Sequence, residues 1–226
     1  MKTKMITIRA ALALALAGGA FAVHAQAANT WMAGVGATHI QPHVTSGTLA
    51  APSSPNTQVD IDGNTQPTVW VTRMLTDNWS VEVPIGAGFK HKITGSGSIS
   101  GVGQIGSVKA LPITVFAQYR FLGASTPIRP YAMLGVTYAH FYGARGSATL
   151  SALNPLNPAG GTGLSVDSKW GLTPGVGVTA MINDRWFADV QYAHAFLKTK
   201  AKLSTGQTIS TKLDPDSLRI GVGMRF

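Results

Sequence analysis

The chain has 226 residues, 45% of them hydrophobic, no cysteine, and 18 basic against 9 acidic side chains, a formal net charge of +9. Without cysteine there is no disulfide framework and no thiolate metal site. No stretch approaches the 18 or more consecutive apolar residues of a membrane helix, so only a closed β-barrel, which pairs every backbone N–H and C=O internally, could carry this chain across a bilayer.

At the start, Lys2, Lys4 and Arg9 precede an apolar run over 10–23 and small residues at Ala25 and Ala27. That order reads as a secretory signal peptide, with cleavage after Ala25 or Ala27 and Ala27 favoured. Residues 1–27 are the expected leader and 28–226 one barrel domain. Losing Lys2, Lys4 and Arg9 lowers the formal charge to +6.

Beyond the leader, apolar and small or polar residues alternate with period two over eight segments: 31–41, 66–75, 79–89, 108–121, 128–142, 169–182, 186–198 and 208–226. Short turns (76–78, 122–127, 183–185) alternate with long Gly/Ser/Pro/Asn connections (42–65, 90–107, 143–168, 199–207). This asymmetry matches outer-membrane barrels, whose periplasmic turns are tight and extracellular loops longer. Both chain ends then fall on the short-turn side, where Trp31, Trp79, Phe121, Tyr131, Trp186 and Phe226 are expected to form an aromatic girdle. The long connections at 42–65 and 95–106 read as mobile exposed loops.

Phase separates this chain from a water-soluble barrel, which places its apolar series inside. The third segment sets Trp79, Val81, Val83, Ile85, Ala87 and Phe89 against Ser80, Glu82, Pro84, Gly86 and Gly88. In the last, Leu218, Ile220, Val222, Met224 and Phe226 oppose Arg219, Gly221, Gly223 and Arg225. The uniformly apolar series never carries a charge, and an Arg facing lipid at the midplane costs about 2–4 kcal/mol. The mixed faces therefore point inward. Glu82, Asp189, Arg120, Arg219 and Arg225 fall on them towards the short turns and are expected to form an ion-pair plug closing the periplasmic end of the lumen. The fold class is thus all-β: an eight-stranded antiparallel transmembrane barrel of the Gram-negative outer membrane. Its last strand, ending on Phe226, is expected to engage the barrel-assembly machinery.

An ordered set of local motifs resembles the OmpW family of small outer-membrane barrels, which includes AlkL-like proteins. The set is Gly34-Val35-Gly36-Ala37-Thr38-His39-Ile40-Gln41-Pro42, Thr76-Asp77-Asn78-Trp79-Ser80-Val81-Glu82, Phe89-Lys90-His91-Lys92-Ile93, Leu111-Pro112-Ile113-Thr114, Ile128-Arg129-Pro130-Tyr131 with Gly135-Val136-Thr137-Tyr138, Ile182-Asn183-Asp184-Arg185-Trp186, and Leu213-Asp214-Pro215 with Gly223-Met224-Arg225-Phe226. The resemblance implies a narrow hydrophobic channel for passive uptake of small hydrophobic molecules, left sideways into the bilayer. It also implies a channel constriction, carried onto Trp170 in Asp167-Ser168-Lys169-Trp170-Gly171 and onto Pro84. Strict alternation puts Trp170 with Leu172, Val176 and Val178 on the lipid face, so a bulge over 169–171 is needed to turn it inward.

Proline cannot donate to a ladder, so Pro84 is the candidate for the lateral gap; Pro112 and Pro174 also sit inside strands, and the alternative for all three is a simple bulge. Lys90, Lys92, Lys109, Arg145, Lys169, Lys198, Lys200 and Lys202 gather near the long loops, as a collar for lipopolysaccharide phosphates or as solvated surface. Nucleic acid is not an expected partner, because the aromatics form girdles and no stacking platform. His39, His43, His91, His140 and His194 are scattered, and no metal or cofactor is assigned. The chain has no Gly-x-Ser-x-Gly and no convincing Ser/His/acid set, so it is not expected to be an enzyme. The alternative function is a closed structural or interaction barrel, or a surface receptor, with no transport role.

Overall fold

In a computed structural model of the chain, residues 28–156 and 161–226 are described. The expected leader, 1–27, lies outside the described residues. The strands are β1 (Trp31–Gln41), β2 (Thr45–Ser46), β3 (Thr57–Ile61), β4 (Asn64–Met74), β5 (Trp79–Gly86), β6 (Phe89–Gly97), β7 (Gln104–Arg120), β8 (Ile128–Gly146), β9 (Leu164–Val166), β10 (Lys169–Met181), β11 (Trp186–His194), β12 (Lys198–Leu203), β13 (Thr208–Lys212) and β14 (Asp216–Arg225), with one short helix, α1 (Ala148–Leu153). Eight of them close a barrel in the order β1-β4-β5-β7-β8-β10-β11-β14, every neighbour antiparallel. β1 and β14 zip it shut from Met32↔Arg225 to Gln41↔Asp216. Reciprocal backbone hydrogen bonds of 2.9 Å between Trp31 and Phe226 finish the seam.

The wall follows the alternation. Val35, Val69, Ile85, Ile113, Val136, Val176, Ile220 and Val222 stand exposed on the outer face, while Thr72, Glu82, Gln118, Arg120, Thr179, Asp189 and Arg219 are buried inside. That polarity is the reverse of a soluble protein and suits a hydrocarbon surround. Trp31, Trp79, Phe121, Trp186 and Phe226 are outward at the short-turn end. Tyr131 departs from the expected girdle. It is 1% exposed, because Arg129, Tyr131 and Met133 share the inward phase of β8.

The lumen is narrow enough that inward glycines are required. A Cβ on Gly34 would lie 2.2 Å from the Trp70 indole, and one on Gly223 would lie 2.2 Å from the Phe187 ring. The Arg/Gly series of β14 therefore interleaves with aromatics from neighbouring strands.

The long connections are more ordered than expected. β3 and β6 extend the β7 edge, and β2, β13, β12 and β9 form a separate four-stranded sheet. Here the phase inverts again: Ile93, Ile105, Val108, Leu150 and Leu203 pack inside, and Lys90, Lys92, Lys200 and Lys202 face out. Above the bilayer water replaces lipid, so apolar side chains turn inward. Three expected strands are also divided. The third breaks between Gly86 and Phe89, the seventh between His194 and Lys198, and the last at Leu213-Asp214-Pro215, where Asp214 has φ 31° and Pro215 supplies no N–H.

Candidate functional site

β5, β11 and β14 bring Glu82, Asp189 and Arg219 together in the lower lumen. Arg219 donates to both Glu82 oxygens at 2.8 and 3.1 Å and to Asp189 Oδ1 at 3.1 Å. Its guanidinium lies 4.0 Å from the centre of the Trp70 ring. Gln191 adds a 2.9 Å bond to Glu82 Oε1, and Thr179 and Tyr131 donate to Asp189. Arg120 reaches Thr179 Oγ1 at 2.8 Å and Gln118 Oε1 at 3.0 Å, and lies over the Tyr131 ring. Glu82, Asp189, Arg120 and Arg219 are each no more than 3% exposed. Two cations against two anions leave this plug formally neutral, and its hydrogen bonds offset the desolvation of four buried charges.

The fifth expected member sits elsewhere. Arg225 lies at the short-turn end, where its Nε donates to the Asp184 carbonyl. It lies four positions beyond Gly221, the partner of Asp189 across the ladder. Arg129 is a member that sequence reasoning missed. Fully buried, it donates to the carbonyls of Phe121, Asp77 and Leu122 and so ties two short turns together. Its inward phase beside Pro130 was the available signal.

Above the plug lie two apolar chambers. The lower one has Phe89, Leu111, Ala139 and Leu197 on its walls and Thr68, Thr114, Thr137, Thr173, Gln191 and Arg219 towards its base. The upper one is lined by Leu49, Ile93, Ile105, Leu150, Leu203 and Ile209. Ile61, Val108, Phe141 and Leu213 line both and form the waist between them. Sequence reasoning did not find this waist, because Ile61 falls in a connection and Leu213 at a strand break.

Trp170 is not a constriction. It is 69% exposed on the outer face, its ring 4.8 Å from that of Tyr138. The β8–β10 ladder runs without a register shift from Lys169↔Ala139 to Ala180↔Ile128, so no bulge turns it inward. Pro84 lines the lower chamber, at a break in its wall. The β5–β7 ladder ends at Glu82↔Phe116, and pairing resumes only at Phe89↔Ala110. Between these points 83–88 face 111–115 unpaired, with Pro84 and Pro112 in the two stretches, and Ala87 and Leu111 also line the chamber there. Outside, the Tyr142 hydroxyl covers the upper edge, where a Cβ on Gly88 would lie 2.1 Å from it. Pro174 stays within an unbroken ladder.

The basic side chains form two exposed groups. Lys90 is directly opposite Lys109, with Lys92 and Arg145 nearby on the same outer face. On the four-stranded sheet Lys198 is opposite Lys212, and Lys200 and Lys202 continue its row. Among the described residues no group of His, Cys, Asp or Glu is placed to hold a metal ion. His43 and His194 instead bracket Asp216, each at 2.7 Å.

The profile of the OmpW family matches residues 19–226. Outer membrane protein W of Vibrio cholerae is 33% identical over 177 residues, 76% of this chain and 79% of that one. The Escherichia coli protein of the same name is 32% identical over 231 residues, 99% of this chain and 100% of that one. The crystal structure of OprG from Pseudomonas aeruginosa superposes with a TM-score of 0.80 at 23% identity, over 90% of this chain and 99% of that one. Profile, relatives and fold agree that this chain belongs to the OmpW family of β-barrels in the Gram-negative outer membrane.

Proposed function

We propose that the barrel is a passive conduit for small hydrophobic molecules, which enter from the extracellular side, cross the waist and leave sideways into the bilayer. The observation that carries this reading is the coincidence of two features of one chamber. Its base is the buried ion-pair plug, and its wall is the unpaired stretch between Glu82↔Phe116 and Phe89↔Ala110. An apolar solute loses by entering a charged, hydrogen-bonded floor and gains by partitioning into hydrocarbon. The exit of lower free energy is therefore the wall. A closed structural barrel would need no apolar space above its plug and no interruption beside it.

The basic groups fit the same setting. Like charges directly opposite on a sheet destabilise it, and phosphates of lipopolysaccharide lying between Lys90 and Lys109, or between Lys198 and Lys212, would reverse the sign. Lys92, Arg145 and Lys200 extend the two groups. The terminal strand ending on Phe226 is the segment we assign to the barrel-assembly machinery. No catalytic step enters this reading.

The test is uptake of an apolar fluorescent solute by vesicles whose outer leaflet is lipopolysaccharide. Vesicles carrying the protein should load several-fold faster than empty ones. Equal rates would favour the closed structural barrel.

A further inference from the structure

The base of the lower chamber is richer in hydrogen-bond donors than a hydrocarbon passage requires. Thr114, Thr137 and Thr173, on β7, β8 and β10, are joined in a row by hydroxyl–hydroxyl bonds of 2.8 and 2.6 Å. Three hydroxyls sharing two bonds leave one O–H without an acceptor, whichever way the row is oriented. On the opposite wall the hydroxyls of Thr38 and Thr68 have no partner among the described residues. All five threonines line the lower chamber. Three hydroxyl donors there thus lack acceptors. Rotation about the Cα–Cβ bond exchanges a threonine's hydroxyl and methyl between staggered positions, so Thr38 and Thr68 can each present the hydroxyl to the chamber.

We propose that the lower chamber is a binding site for a slender aliphatic chain with a neutral oxygen head, an alcohol, aldehyde or ketone. The head sits among the threonines, and the chain points up through the waist. This deepens the conduit reading and rests on it. A plain alkane would leave all three donors unmet. A carboxylate would add an uncompensated negative charge beside Glu82 and Asp189, whose charges Arg219 and Arg120 already balance. A neutral oxygen accepts from the spare donors without disturbing that balance.

The test uses the barrel in lipid nanodiscs, with threonine methyls labelled, titrated with octan-1-ol, octane and octanoate and read by methyl shifts and ligand–methyl NOEs. Octan-1-ol should saturate the Thr68, Thr137 and Thr173 methyls at a concentration at least tenfold lower than octane or octanoate does. The shape-preserving pair T137V/T173V should erase that preference, and T68V alone should weaken it. Equal titration by octanol and octane would overturn the polar seat while leaving the conduit standing, and tightest binding by octanoate would overturn the neutral head. NOEs from none of the three to any chamber methyl would overturn the seat and the conduit together.

Discussion

Arg219 and Glu82 lie 137 positions apart in the chain, yet they meet in a bidentate pair with bonds of 2.8 and 3.1 Å at the centre of the barrel. β14 and β5 are not neighbours, since β1 and β4 stand between them. The pair therefore crosses the lumen and ties its walls together through the interior. Removing one partner leaves a buried charge uncompensated, which typically costs about 3–5 kcal/mol. Glu82→Ala should lose stability on that scale in urea unfolding from bilayers, and the R219M/E82M double variant should recover part of it. Additive losses in the double-mutant cycle would show that the pair is not coupled.

The Trp70 indole fills the space left by Gly34 and Gly221, so Gly34→Ala overpacks a rigid ring. A loss of about 1–3 kcal/mol is expected by the same unfolding assay. The matching change at Gly143, where a Cβ meets nothing within 4 Å, tests backbone strain alone, because its φ is 58°.

Outer-face polarity sets a depth-dependent cost. Ile220, in mid-strand and exposed, should lose about 2–4 kcal/mol as Ile220→Arg, whereas Leu218→Arg, nearer the extracellular interface, should lose less. Equal costs, or none, would place this face against water and undo the membrane assignment.

At the break before β14, Asp214 bonds Lys212 Nζ at 2.7 Å and accepts from the Leu197 N–H at 3.0 Å. Burial pushes its carboxyl up, but the bonds from Lys212 and Leu197 outweigh this and hold it below the usual carboxylate range. A depressed folded value means that the tie is fully present above the unfolded carboxylate value of about 3.9 and is lost as pH falls through the lower, folded one. Exchange protection of the Leu197 amide, corrected for intrinsic rates, should hold from neutral pH to about that value and then fall. In Asp214→Asn it should be weaker at neutral pH and lack that fall.

The membrane-spanning part of the fold was legible because two solvents act on one strand: lipid outside and a wet interior impose a strict period of two. That rule put Glu82, Asp189, Arg120 and Arg219 on inward faces, and it put Trp170 outside against the expectation carried over from the family. Tyr131 was misjudged because an aromatic beside a short turn suits a girdle, whereas its phase with Arg129 and Met133 points inward. The waist was not legible. Ile61 and Leu213 lie where the pattern stops, and Phe141 acquires its meaning only when β3 and the β13–β14 break come to face it. Of the strands above the bilayer, β13 falls at the start of the last expected segment, whereas most of β6 and all of β9 lie in Gly- and Ser-rich connections that carry little alternation.

Lateral exit is tested most directly by filling the wall break. Ala87 lines the lower chamber within the unpaired stretch, far in sequence from the plug residues of β11 and β14. In vesicles with a lipopolysaccharide outer leaflet, Ala87→Trp should bring uptake of an apolar solute down to the rate of empty vesicles, while the protein keeps its folded, heat-modifiable mobility on a gel. Uptake by a folded Ala87→Trp barrel at the unmodified rate would contradict the exit through this wall.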